Sequence, residues 1–563
     1  MKPSKIASLL ALLFAFALVA AACGSDDPVA SSDDSVETDG TATDDDGAAT
    51  DDGEPADDSA ATDDGEMSED FTVSQGIVEP SFIDSFNIQD SEGFEVGRLI
   101  FDGLTDFDSD LKAIPAVAES WDHEDFTVWT FNLKPGTTFH NGETVTAQSF
   151  INAFTYLASP DAASDVSYYG DVAGIEGFGD VASGDATEIS GLSAPDDNTL
   201  VITLSSSNAL LPSIIAHPAF SPRSEAAMAD PAASLETPIG NGPYKMVGPW
   251  EHNVSISLER FEDYYGTPGN PSAVDFLIFD SLDTMYLEVQ AGTLDITDVP
   301  AEQIEAAAAE FGDRNIEVSI GAYNYLGFPV NTAPYDNADL RKALSMAIDR
   351  EAITQQIFAG TRDPADGFYP GLAPGGSAGL CTNCVYDVEA AKTLFESAGG
   401  IPGDKVTVYF NSGSGHEDWI QAVANNWNQA FGIEAEFIGQ EFAPYLDFVQ
   451  GGEIDGPFRL GWGWDYPHAV GFLEPLFKTG STDNLSGFSN ADFDAALAEF
   501  RALEDPVSPE AEALIVQMSE VLNEEMPVMP MFFSRGQIVH TDRITNVNLT
   551  AFDYVEMEKI TLK

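Results

Sequence analysis

From Phe71 to the C-terminus, strand-like and helix-like stretches alternate, and no segment repeats. This alternation most limits the fold: it selects a mixed α/β or α+β architecture. Strands are expected where apolar residues alternate or run, at residues 128–133, 200–204, 254–258, 274–279 and 406–410. Residues 146–157 open on Thr146 and place Phe150, Ile151, Phe154 and Leu157 on one side, which predicts a helix. Residues 339–358 read as a single helix with Leu340, Ala343, Leu344, Ala347, Ile348 and Ile353 inward. Further helices are expected at 284–291, 388–398 and 417–431. Residues 239–243 form a tight turn, and the tail 538–562 returns to β character. A chain of 563 residues exceeds what one core serves, so two or three domains are expected.

The chain carries 95 acidic residues against 22 basic ones. Nineteen of the acidic residues fall in residues 24–70, which hold no Lys or Arg and almost nothing large. Such a segment cannot bury a core and is expected to be a disordered tether, extended by self-repulsion. The remaining chain is still strongly negative, which argues against nucleic acid and anionic lipid as partners. Its acidity either draws cationic ligands or is a solvated surface suited to salt.

Lys2 and Lys5 precede an apolar run over residues 6–22. The run is short for a membrane span, which needs about 20 residues, and it ends in small residues before Cys23 and Gly24. This resembles the lipobox of bacterial lipoproteins, with Ala20 standing where Leu is usual. It implies a signal peptide over 1–22, lipid on Cys23, and a membrane-held protein whose body lies outside the cell membrane. No other segment is long and apolar enough to span. Cys381 and Cys384 are the only other cysteines. Two further zinc ligands are not supplied by any paired spacing, and the preceding Pro370, Pro374, Gly375, Gly376 and Gly379 describe a loop, so a local disulfide is expected.

The stretch from Arg459 to Tyr466 is the candidate site. If it is extended, Arg459, Gly461, Gly463 and Asp465 share one face, and Leu460, Trp462, Trp464 and Tyr466 the other. Two opposite charges then close a trough of bare backbone, about 20 Å between the end Cα atoms, suited to a short zwitterion. The other reading is an ordinary strand with an aromatic core face and two surface charges. Trp462, Trp464 and Tyr466 either touch ligand or hold the trough from behind.

Catalytic patterns are missing. Ser414 lacks the flanks of a nucleophile elbow, and His123-Glu124 and His416-Glu417 have no second histidine in register. Asp106, Asp108 and Asp110 hint at calcium, but Leu111 and Val117 occupy positions that a calcium loop reserves for Gly and Glu. No enzyme, metal or cofactor is expected.

Several segments occur in a fixed order: LKAIPAVAESW at 111–121, WTFNLKPGTTFHNGETVTA at 129–147, PIGNGPY at 238–244, GTLD at 292–295, LRKALSMAIDR at 340–350 and GWGWDY at 461–466. Together they closely resemble the family 5 extracellular solute-binding proteins, receptors of ABC importers. The resemblance implies a type II periplasmic-binding-protein-like fold of three lobes with a hinge and an interlobe cleft. Lobe I would comprise 71–112, 236–330 and 531–563, lobe II 113–235, and lobe III 331–530. It implies that Asp465 pairs with a peptide α-ammonium and Arg459 with its carboxylate, while Gly461, Trp462 and Gly463 offer backbone to the peptide, beside Trp464 and Tyr466. His468 departs from the family pattern, which often has an acidic residue there. The implied protein is a monomeric lipoprotein that delivers peptides to ABC permease subunits. Alternatives are another solute in the same fold, such as an oligosaccharide or nickel chelate, or a sensor or chaperone without transport.

Overall fold

The computed structural model describes residues 70–563 apart from positions 89, 165, 413 and 414. The signal segment, Cys23, the tether up to residue 69 and Ser414 lie outside the described residues. The body is organised on an eleven-stranded mixed sheet. Two strands of 13 residues, Asn315–Gly327 and Val528–His540, run antiparallel through its middle. One flank continues through Ile296–Asp298, Thr72–Ile77, Ala273–Ile278, Ser255–Arg260 and Tyr244–Met246. The other continues through Phe458–Gly463, Lys405–Asn411 and Glu434–Gln440. The two long strands slip register between Ser319 and Tyr323, so Ile320, Gly321 and Ala322 leave the ladder.

A second, four-stranded antiparallel sheet contains Ala118–Glu124, Val128–Leu133, Thr199–Thr203 and Leu192–Asp196. Its strands show period-two burial: Trp129, Phe131 and Leu133 are buried. Helix Ala147–Ala158 packs on this sheet. Thr146 and Ser149 cap each other reciprocally: Thr146 Oγ1 accepts from the Ser149 amide at 3.3 Å and Ser149 Oγ from the Thr146 amide at 3.2 Å. Such a cap contributes about 1 kcal/mol, and Phe150, Phe154 and Leu157 then face the core as their spacing requires. Helix Glu417–Phe431 buries Trp419 and Trp427, with the Trp427 indole donating to the Leu344 carbonyl at 2.9 Å. Cys381 and Cys384 are joined by a disulfide.

Three expectations are corrected. The helix expected over 339–358 is two helices, Ala338–Met346 and Arg350–Ile357. Asp349 between them accepts from the Ala352 amide at 3.0 Å and starts a new helix instead of continuing the old one. The Arg350 guanidinium turns inward onto the carbonyls of Pro530, Ser345 and Cys384, which fixes the corner. The tail is a strand only to His540; beyond it β structure continues as the short pair Ile544–Thr545 and Thr561–Leu562 and the single bridge Leu549↔Val555. The extended stretch starting at Phe458 ends at Gly463, before Asp465, because Trp464 folds over the bare backbone of Gly321. The 20 Å separation based on a continuous strand therefore does not apply.

Candidate functional site

Strand Phe458–Gly463 is bound along one edge only. It pairs antiparallel with Asn315–Gly327 from Phe458↔Gly327 to Gly463↔Ala322. On its other edge, Lys405–Asn411 meets it at a single residue pair, Tyr409↔Phe458. The Trp464 amide donates to the Gly321 carbonyl at 2.9 Å. In an antiparallel ladder, amide direction alternates along the strand. Trp464, Trp462 and Leu460 therefore aim their backbone groups at the paired strand, and Arg459, Gly461 and Gly463 aim theirs at the other edge. The Arg459 carbonyl is taken by the Tyr445 hydroxyl at 2.6 Å. Among the described residues no strand pairs with Gly461 or Gly463 on that edge. A Cβ on Gly463 would meet nothing within 4 Å, so the sheet face is open there.

Arg459 lies at the start of this edge, half-buried. It donates to Asn411 Oδ1 at 3.1 Å and Asn324 Oδ1 at 2.6 Å, and its Nε is buried without a partner. Among the described residues no carboxylate pairs with it, and burial pulls its guanidinium down to about 10. Its head folds back towards Gly461, 3.2 Å from where a Cβ would stand.

Gly463, Trp464 and Asp465 line a cavity of about 490 Å³. Arg459 and Gly461 sit further along the strand, outside the cavity wall. Asp465 Oδ1 accepts the hydroxyls of Tyr168 and Tyr169, each at 3.2 Å. Burial pushes the Asp465 carboxyl up to about 7, against the opposing pull of the two hydroxyls, with Asp483 adding a smaller push upward. The tyrosine rings stack at 4.4 Å, and His217 stacks on Tyr169 at 3.9 Å. His217 is held neutral, its pKa lowered to about 3 by burial. These contacts join parts of the chain almost 300 residues apart. Sequence reading missed both tyrosines; their only signal was adjacency.

The aromatic residues divide between wall and core. Trp464 lines the cavity and packs against Phe552 at 5.2 Å. Trp462 leans on the core and donates its indole N–H to the Gly471 carbonyl at 3.2 Å. Tyr466 is buried in that core. His468 is also buried, its Nδ1 accepting from the Val470 amide and its Nε2 meeting the Pro506 carbonyl. It therefore shapes the turn behind the site. Asp108 Oδ1 is occupied by the amides of Asp110 and Lys112, as in a surface turn. Among the described residues no group of three or more His, Cys, Asp and Glu could hold a metal, and no helix is long and apolar enough to cross a membrane.

Residues 112–484 match the family described as bacterial extracellular solute-binding proteins, family 5. The chain belongs to this family. This family 5 protein is 27% identical over 474 residues to the periplasmic oligopeptide-binding protein OppA of Escherichia coli, covering 81% of this chain and 85% of that one. It is 26% identical to the dipeptide-binding protein DppE of Bacillus subtilis, covering 82% and 86%. Among solved structures, the murein tripeptide-binding protein MppA of Escherichia coli superposes with a TM-score of 0.75 at 24% identity, covering 88% of this chain and 99% of that one. Haemophilus influenzae OppA in complex with the peptide RPPGFSPFR gives 0.72 at 24%, covering 88% and 100%. The fold of the family 5 protein is thus the type II periplasmic-binding-protein-like one, and both family and fold are those of solute binders.

Proposed function

We propose that this family 5 protein captures short peptides outside the cytoplasm and passes them to the permease of an ABC importer. One observation carries the reading: among the described residues, Gly461 and Gly463 have no strand partner on one edge, Arg459 has no carboxylate partner and Asp465 has no cationic one. A peptide adds as a strand to that edge, its backbone bonding the two glycines irrespective of side chains. Its α-ammonium takes the free oxygen of Asp465, and the carboxylate of a short peptide meets Arg459. Trp464 forms wall, while Trp462 and Tyr466 brace the strand. The names of the relatives, oligopeptide- and dipeptide-binding, agree with this chemistry.

In this reading the lobes are 71–112 with 236–330 and 531–563, then 113–235, then 331–530. The two 13-residue strands form the hinge. Ligand favours the closed state by touching both sides of the cleft. Cys23 carries lipid, and 23–70 is the leash that lets a monomeric body reach the permease. The test is calorimetric titration with trialanine and its N-acetyl form. Asp465→Asn is expected to weaken trialanine about tenfold or more, the loss of one charge-assisted bond, and acetylation is expected to do the same. Equal binding of both peptides would contradict the role of Asp465 and favour a non-peptide solute.

A further inference from the structure

The cavity that holds Asp465 contains a second copy of its arrangement. Asp102 Oδ2 accepts the hydroxyls of Tyr264 and Tyr265 at 2.6 and 2.7 Å. As at Tyr168 and Tyr169, the two donors are consecutive in sequence with rings in contact, here 4.7 Å apart. Both hydroxyls converge on one carboxylate oxygen in each case. Among the described residues no hydrogen bond occupies the other oxygen, Oδ1 of Asp102 or Oδ2 of Asp465. Asp102, Tyr264, Asp465, Tyr168 and Tyr169 all line the same cavity.

The surroundings favour positive charge. The wall carries six carboxylates, from Asp90, Asp102, Asp106, Asp465, Asp553 and Glu558, against one guanidinium, Arg98. Arg98 is already engaged: it pairs with Glu558 at 3.4 Å and lies 3.9 Å over the Tyr554 ring. A run of aromatic faces continues along the wall, Phe107 to Phe552 at 5.2 Å, Phe552 to Tyr554 at 6.0 Å and Tyr554 to Phe94 at 6.0 Å. Ring faces attract cations, and an ammonium or guanidinium on an apolar stem suits such a wall.

We propose that Asp102 with Tyr264 and Tyr265 is a second cation subsite, which receives the basic side chain of a peptide whose α-ammonium is held at Asp465. The inference rests on the peptide reading above and adds a substrate class to it: peptides carrying lysine or arginine. Burial pushes the Asp102 carboxyl up to about 6, which an incoming cation would reverse. A neutral side chain of equal length leaves Asp102 with no positive charge but the weaker pull of Arg98, so discrimination comes from the charge and not from the shape.

The experiment is calorimetry with trialanine, the three alanine tripeptides bearing one lysine, and the three bearing norleucine in its place. At least one lysyl peptide is expected to bind about tenfold or more tighter than its norleucine counterpart, as one charge-assisted contact implies. This comparison needs no variant. Asp102→Asn is expected to bring that ratio close to one, whereas Asp465→Asn lowers affinity for both peptides and keeps the ratio. Trialanine binding with lysyl and norleucyl peptides equal overturns the inference and leaves the peptide reading standing. A lysine preference that survives Asp102→Asn overturns it as well. Failure of every tripeptide to bind removes the peptide reading and the inference with it.

Discussion

Arg223 and Asp84 form a closed ion pair, and Arg459 and Asp465 do not. The Arg223 guanidinium meets both oxygens of Asp84 at 2.9 and 2.7 Å, and both side chains are almost wholly buried. Among the described residues, the Arg459 guanidinium has only amide oxygens for partners, and the Asp465 carboxylate only tyrosine hydroxyls. A charge held by neutral groups is oriented but not neutralised, and the cost of desolvating it remains. The first arrangement holds the fold together; the second keeps an opposite charge wanted. Charged residues alone therefore do not mark a binding site; Arg459 and Asp465 stand out because their uncompensated charges flank an open strand edge.

The largest effect should come from breaking the closed pair. Asp84→Ala strands a buried guanidinium and should cost about 3–5 kcal/mol of stability, read as a fall in the denaturation midpoint. Asp465→Asn should leave that midpoint unchanged or raise it, since it removes an unpaired carboxylate, while lowering peptide affinity. A loss of stability there would make Asp465 a structural residue like Asp84.

Glu95 sharpens the comparison. It is buried, bonded to the Gln75 amide at 2.7 Å, and pushed up to about 8 by burial, with Asp298 adding to the push. A carboxyl whose folded pKa exceeds its unfolded value binds more protons in the folded state, so stability falls as pH rises. The melting temperature is expected to decline between about pH 4.5 and 8, and Glu95→Gln to flatten that decline. The Asp465 carboxyl near 7 has the opposite consequence for ligand. Protonation removes the charge that an ammonium needs, so peptide affinity should fall as pH drops through about 7. Binding near that pH should release a proton, visible as a dependence of calorimetric heat on the buffer's ionisation enthalpy. The smallest effect belongs to Gly463→Ala. Among the described residues its Cβ would meet nothing within 4 Å, so melting should be unchanged, while a peptide lying against Gly463 should bind a fewfold more weakly.

The sequence was most readable where structure is local. Thr146 announces a helix start, which the structure caps with Ser149, and the helix Glu417–Phe431 lies where its apolar spacing put it. The alternation around Gly461 and Gly463 correctly indicated a strand up to Gly463. It did not reveal that Trp464 would leave the strand, because the bare surface of Gly321 that receives its ring is 143 positions away. The break at Asp349 was concealed in a related way: apolar spacing continues through it, the cap to the Ala352 amide is local, and the inward turn of Arg350 depends on carbonyls from other elements.

By itself the sequence determined the architectural class, the family and the strand that carries Arg459 and leads to Asp465, since periodicity and ordered motifs are properties of neighbouring residues. Only the tertiary structure decided which charges are satisfied. Tyr168 and Tyr169 reach Asp465 across nearly 300 residues, and Tyr264 and Tyr265 reach Asp102 across more than 160. Hydrogen bonding and desolvation depend on what lies within a few ångströms in space, and chain order does not record that distance.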